Sequence, residues 1–134
     1  MGRNARLAGV IGAVLLASAG CAASGPEAAA RRFLDAYYIH ADLGEAVMLA
    51  DGLALEKIKE QQALTRGVPA DALTRKRQVF YELRQRRDRG AERVLFMYDL
   101  TIQGGGASFR KRTLITVARM GERWRVTNFS DTDA

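Results

Sequence analysis

The chain has 134 residues, 48% of them hydrophobic, and a net charge of +6 with 21 basic and 15 acidic residues. Once any leader is removed, that length supports one domain with one core. The single cysteine excludes an internal disulfide, and the single histidine excludes a metal site built on histidines.

Arg3 and Arg6 precede an uncharged run, Leu7 to Ala17, that ends in small residues. A positive start, a short apolar middle and a small-residue region have the layout of an export signal. A bilayer-spanning helix needs about 20 apolar residues, more than this run supplies. The sequence Ser18-Ala19-Gly20-Cys21 resembles the lipobox of bacterial lipoproteins, in which the cysteine is acylated and becomes the first mature residue. Ser18 departs from the usual leucine, and Ala17-Ser18-Ala19 offers a competing site for ordinary signal peptidase. The reading divides the chain into a signal peptide (1–20), the acylated Cys21 with a small, flexible tether (21–26) and a folded domain (27–134). The resemblance implies an exported protein held by lipid at the cell envelope. Ala22, in place of aspartate after the cysteine, points to the outer rather than the inner membrane in a Gram-negative cell.

From Pro26 to about residue 40, Ala30, Phe33, Leu34, Tyr37 and Ala41 recur at helical spacing. A short helix is expected over Glu45 to Ala50, and a third, capped by Asp51, from about Leu53 to Thr65, with Gly67 and Pro69 ending it. The third is charged and thinly apolar, as a surface cover would be.

The period then becomes two. Val79, Tyr81 and Leu83 form one alternating row, and Val94, Phe96, Tyr98, Leu100 and Ile102 a longer one. Strands are also expected over Ser108 to Arg119 and Arg123 to Ser130, with turns at Asp88-Arg89-Gly90 and Gly104-Gly105-Gly106. Gly121-Glu122 joins the last two strands as a type II′ hairpin. Regular pairing from that hairpin sets Val117 against Val126, Arg119 against Trp124 and Arg112 against Asp131.

Helices followed by a four-stranded antiparallel meander define an α+β fold, with the first helix covering the sheet. The order of parts, with Phe33-Leu34-x-x-Tyr37-Tyr38, Asp42-x-x-x-Ala46 and Trp124-Arg125-Val126-x-x-Phe129, resembles the nuclear-transport-factor-2-like superfamily. The resemblance implies a curved sheet wrapped round the helix as a cystatin-like cone. It also implies a pocket at the cone's opening, catalytic in ketosteroid isomerases and dehydratases and inert in many other members.

His40, Tyr37 and Tyr98 are the candidates for such chemistry. His40 stands seven residues after Phe33, so helical spacing places it near the apolar stripe. Asp99 alternates out of phase with Phe96, Tyr98 and Leu100 and belongs to the outer face, which weighs against catalysis. No nucleophile elbow and no zinc-binding motif is present, and the reading calls for no cofactor and no metal. Asp131 and Asp133 read as a solvated tail.

Arg84, Arg86, Arg110, Arg112, Arg123 and Arg125 share the outward parity and form a candidate binding face for an anionic partner. Residues 22–73 hold five basic and eight acidic residues, a balance of −3, whereas residues 74–134 hold 14 and seven, a balance of +7. An export signal removes nucleic acid as a partner, leaving anionic envelope components, a protein or a second copy of the chain. The expected function is a non-catalytic binding or accessory module at the cell envelope, the alternative a small-molecule enzyme or carrier using the cone.

Overall fold

The computed structural model describes residues 24–69 and 77–134. Cys21 and the segment expected to be an export signal lie outside the described residues, as does the segment 70–76. Helix α1 spans Pro26–Leu34 and runs on into a π-helical turn, Asp35–Ile39; α2 spans Leu43–Leu49 and α3 Gly52–Leu64. Four strands follow: β1 (Arg77–Asp88), β2 (Arg93–Gly104), β3 (Ala107–Met120) and β4 (Arg123–Asp133). They form one antiparallel sheet in the order β1-β2-β3-β4, the expected meander.

Each helix begins where local chemistry starts it. Pro26, in the first turn of α1, has no N–H to leave unsatisfied. The Asp42 carboxylate accepts from the Glu45 N–H at the start of α2, and that of Asp51 from the Gly52 N–H at the start of α3. The core is the seam between α1 and the sheet: Ala30, Phe33 and Leu34 are inaccessible to solvent, as are Phe96, Leu100, Ile115, Val117 and Val126. Burial of a side chain the size of Phe33 contributes about 2–3 kcal/mol. Helix α3 covers the β4 edge with Ala54 and Ile58, and its Lys57 ammonium donates to the Asn128 side chain and the Phe129 carbonyl. Ala50 adds a parallel bridge to Val126 on the same edge.

Three local irregularities change which way side chains point. The first is the π turn after α1, closed by the His40 N–H donating to the Asp35 carbonyl. A π turn holds one residue more than an α turn, so the residues after it lose the phase of the stripe. His40 is exposed, and its expected place near the apolar stripe is therefore wrong.

The second irregularity is a bulge in β1, where pairing jumps from Leu83↔Tyr98 to Gln85↔Met97 and leaves Arg84 as the extra residue. Arg86 then pairs with Phe96, so it stands on the helix side of the sheet and does not share the parity of Arg84, as had been expected. Its guanidinium lies 5.6 Å from the Phe96 ring centroid, and its Nε 3.0 Å from Asp88.

The third is a bulge in β4 at Thr127. Val117↔Val126 and Arg119↔Trp124 pair as expected, but beyond the bulge Arg112 meets Thr132 and Asp131 meets Thr113. The expected Arg112–Asp131 pairing is corrected by one position: Asp131 comes to the Thr113 side of the sheet, where it stays exposed while its carboxylate reaches Thr113 and Tyr38.

Candidate functional site

The interior of the cone is occupied by aromatic rings. Phe33 stacks on Tyr37 with centroids 5.6 Å apart and planes 9° from parallel, and Phe129 closes on both at 5.0 Å and 4.9 Å. Such contacts fix ring positions beyond what burial alone does. Space remains at the mouth, where a cleft of about 330 Å³ is lined by Tyr37, Tyr38, Leu43, Arg77, Lys111 and Asp131 among others.

Asp131 organises that cleft. Its Oδ1 accepts from the Tyr38 hydroxyl at 2.6 Å and from the Thr113 hydroxyl at 2.8 Å. Burial, followed by the adjacent carboxylate charge and the hydrogen bond to it, holds the Tyr38 phenol far above the ordinary tyrosine range. Tyr37 is raised for the same first two reasons, burial and the charge of Asp131. Arg77 donates from Nη2 to the Tyr38 carbonyl at 2.5 Å, while its buried Nε has no partner among the described residues. The mouth therefore holds one carboxylate accepting two hydrogen bonds on Oδ1, two cationic side chains and two phenols that stay protonated at neutral pH.

The three residues singled out for chemistry are not brought together. Tyr37 lines the mouth, but neither Tyr98 nor His40 does. Tyr98 is 1% exposed and lies edge-on to Tyr81 at 5.7 Å; its hydroxyl has no partner among the described residues. Burial raises its pKa above the ordinary range. Tyr81 in turn donates to the Asp35 carboxylate at 2.8 Å, tying β1 to the π turn. Sequence reasoning missed Asp131 and Thr113. The available signal was the polar pair Lys111 and Thr113 at inward positions of β3, for which a buried strand face needs a partner.

On the outer face, Asp99 lies where alternation puts it. Arg84 Nε approaches its Oδ2 at 2.7 Å and Arg112 Nε its Oδ1 at 3.1 Å, so the two guanidinium groups grip one carboxylate. The hydrogen bond from Arg84, then that from Arg112, holds the Asp99 pKa below its usual value. Glu82 adds a longer contact to Arg84 at 3.5 Å. Arg125 is engaged elsewhere, donating to the Met48 and Ala50 carbonyls at the end of α2. Arg110 and Arg123 are exposed. Of the six arginines expected on one face, the register moves Arg86 to the helix side, and the five that keep the outward parity divide between a carboxylate clamp, a helix end and solvent. Among the described residues no group of histidine, cysteine and acidic side chains is arranged to hold a metal ion, and no helix is long and apolar enough to cross a membrane.

No protein-family model matches the chain, and no curated protein matches it. Solved structures do. A domain of unknown function with a cystatin-like fold from Nostoc punctiforme superposes with a TM-score of 0.63 at 13% identity, covering 89% of this chain and 80% of its own. A ketosteroid isomerase-like protein from Erwinia carotovora atroseptica superposes with a TM-score of 0.57 at 13% identity, covering 81% of this chain and 92% of its own. An NTF2-like protein of unknown function from Prochlorococcus marinus matches at 0.49 and 9% identity, covering 82% and 94%. At such identities the likeness concerns fold alone, and the fold is the expected cystatin-like arrangement of helices on a four-stranded antiparallel sheet.

Proposed function

Taking that cone as the scaffold, we propose that the protein is a non-catalytic binding or accessory module held at the cell envelope by a lipid on Cys21. The non-catalytic part is carried by one observation: Phe33, Tyr37 and Phe129 pack ring against ring inside the cone, and the space left is the cleft at its mouth. In keeping with it, the only histidine of the chain is exposed and lies outside the lining of the mouth.

The anchoring part is supported by the uncharged run Leu7 to Ala17 and by Ala19-Gly20-Cys21. Each buried methylene of an acyl chain contributes about 0.8 kcal/mol, so two or more chains hold a protein stably where one is marginal. A second reading, a small-molecule carrier using the mouth, is favoured by the Arg77 Nε, which has no partner among the described residues and belongs to the same lining as Lys111.

Two measurements test the proposal. Intact mass of the protein extracted from membranes carries the added acyl groups on a chain beginning at Cys21; a water-soluble species with an unmodified thiol overturns the anchor. Exchange of α-protons in a panel of cyclic ketones, followed by NMR, proceeds at the buffer rate. Acceleration that Tyr37→Phe abolishes would overturn the non-catalytic reading and favour an enzyme of the ketosteroid-isomerase-like or dehydratase-like kind.

A further inference from the structure

In an antiparallel meander the β1–β2 and β3–β4 turns lie at one end of the sheet and the β2–β3 turn at the other. The β1–β2 turn is bonded to the end of β3 that leads into the β3–β4 turn: the Arg119 N–H donates to the Glu92 carbonyl at 2.8 Å. Their segments, Arg86 to Arg93 and Arg119 to Arg125, contain seven arginines and three acids. Part of that charge is engaged within the fold, by Asp88 for Arg86 and by backbone carbonyls for Arg119 and Arg125. Arg87, Arg89, Arg93 and Arg123 are exposed and form no ion pair among the described residues.

The chain enters the domain at this same end. A cleft of about 240 Å³ is lined jointly by Ser24 and Gly25, by Met48 of α2 and by the hairpin residues Arg123 and Trp124. Two apolar side chains stand exposed beside the arginines, Met48 at 71% and Met120 at 42%. Three peptide units separate Cys21 from Ser24 and span at most about 11 Å when fully extended.

We infer that this arginine-rich end is a membrane-docking surface, in which Arg87, Arg89, Arg93 and Arg123 meet anionic phospholipid headgroups while Met48, Met120 and the edge of Trp124 enter the interface. The inference rests on the anchored reading for its setting: a lipid on Cys21 keeps the turn end within a tether's length of the bilayer. Charge complementarity selects the occupant, since anionic headgroups concentrate arginines at a surface and the mixture of guanidinium, thioether and indole groups suits the headgroup layer. The docked orientation turns the mouth cleft, which lies at the opposite end beside the start of β1, away from the membrane.

The test separates docking from anchoring. Among the described residues every core residue lies at or after Ala29, so a chain beginning at Ala22 keeps all of these and has no cysteine to acylate. Its partition onto vesicles of phosphatidylcholine, with and without phosphatidylglycerol, is followed through Trp124, the only tryptophan, and its quenching by brominated lipid. Binding that requires phosphatidylglycerol, weakens with salt and quenches Trp124 is expected. Each arginine near a membrane surface accounts for roughly fivefold in partition, so Arg89→Glu with Arg123→Glu lowers it by at least about 25-fold. Arg66→Glu, exposed next to Thr65 of the mouth cleft and away from this end, leaves it unchanged, and circular dichroism verifies that the variants remain folded. Equal partition onto neutral and anionic vesicles overturns the inference, as does loss of binding by Arg66→Glu alone, or binding to soluble acidic polymer without binding to vesicles. None of these results depends on whether Cys21 carries a lipid, which intact mass decides separately.

Discussion

The hydroxyl of Tyr38 donates to the carboxylate of Asp131 across 93 positions of sequence, joining the end of the first helix to the end of the last strand. A hydrogen bond to a charged acceptor contributes more than a neutral one. Tyr38→Phe is expected to lower unfolding free energy by about 2 kcal/mol in urea, with little change in the denaturant slope.

The same phenol sets an alkaline dependence. Its folded pKa lies above the ordinary 10.0, so between the unfolded and folded values the native state holds a proton that the unfolded chain has lost. The stability it contributes is fully present below pH 10 and declines as pH rises further. Unfolding midpoints measured in denaturant over that range fall more steeply for the wild-type chain than for Tyr38→Phe.

Asp99 behaves in the opposite sense. The Arg84 and Arg112 guanidinium groups hold its pKa below the ordinary 3.8, so its contribution is present above that value and lost as pH falls through the lower folded pKa. Carbon-13 NMR of the carboxyl is expected to titrate below its unfolded position. Asp99→Asn flattens the acid limb of the stability curve, because the carboxyl whose titration the two arginines lower is then gone.

Phe33 is inaccessible to solvent and touches both rings that fill the cone. Phe33→Ala is expected to cost about 3–5 kcal/mol by denaturant unfolding, and Phe33→Leu about 1 kcal/mol, the difference reporting the cavity left behind. If the filled interior is what excludes substrates, Phe33→Ala also admits a small apolar ligand, seen as a rise in thermal midpoint on adding benzene or a similar ring.

Gly121 opens the β3–β4 hairpin with φ of +67°, and a Cβ there would meet nothing within 4 Å. Gly121→Ala is therefore expected to cost about 1 kcal/mol through backbone strain alone, measured by thermal unfolding.

Where local chemistry decides, the chain could be read directly. The alternation from Val94 to Ile102 made β2, Asp51 capped α3, and Gly121-Glu122 placed the last hairpin and hence the pairing of Val117 with Val126. The resemblance in Phe33, Tyr37 and the closing Trp124-Arg125-Val126 anticipated the cone. The sides on which Arg86, Asp131 and His40 emerge could not be read in the same way. Each follows an inserted residue, at Arg84, at Thr127 and in the π turn after Leu34, and a single extra residue reverses a strand's faces or rotates a helix's.

Periodicity, caps and turn residues are properties of neighbours a few positions apart, so composition and spacing alone settled the elements, their order and the antiparallel meander. Bulges and π turns are accepted when distant packing compensates the local disruption, here Tyr81 on Asp35, Arg84 on Asp99 and Tyr38 on Asp131. Only the assembled tertiary structure therefore decided that the cone is filled by aromatic rings, that a carboxylate from the last strand lines its mouth, and that the arginines near the hairpin turns gather where the chain enters the domain.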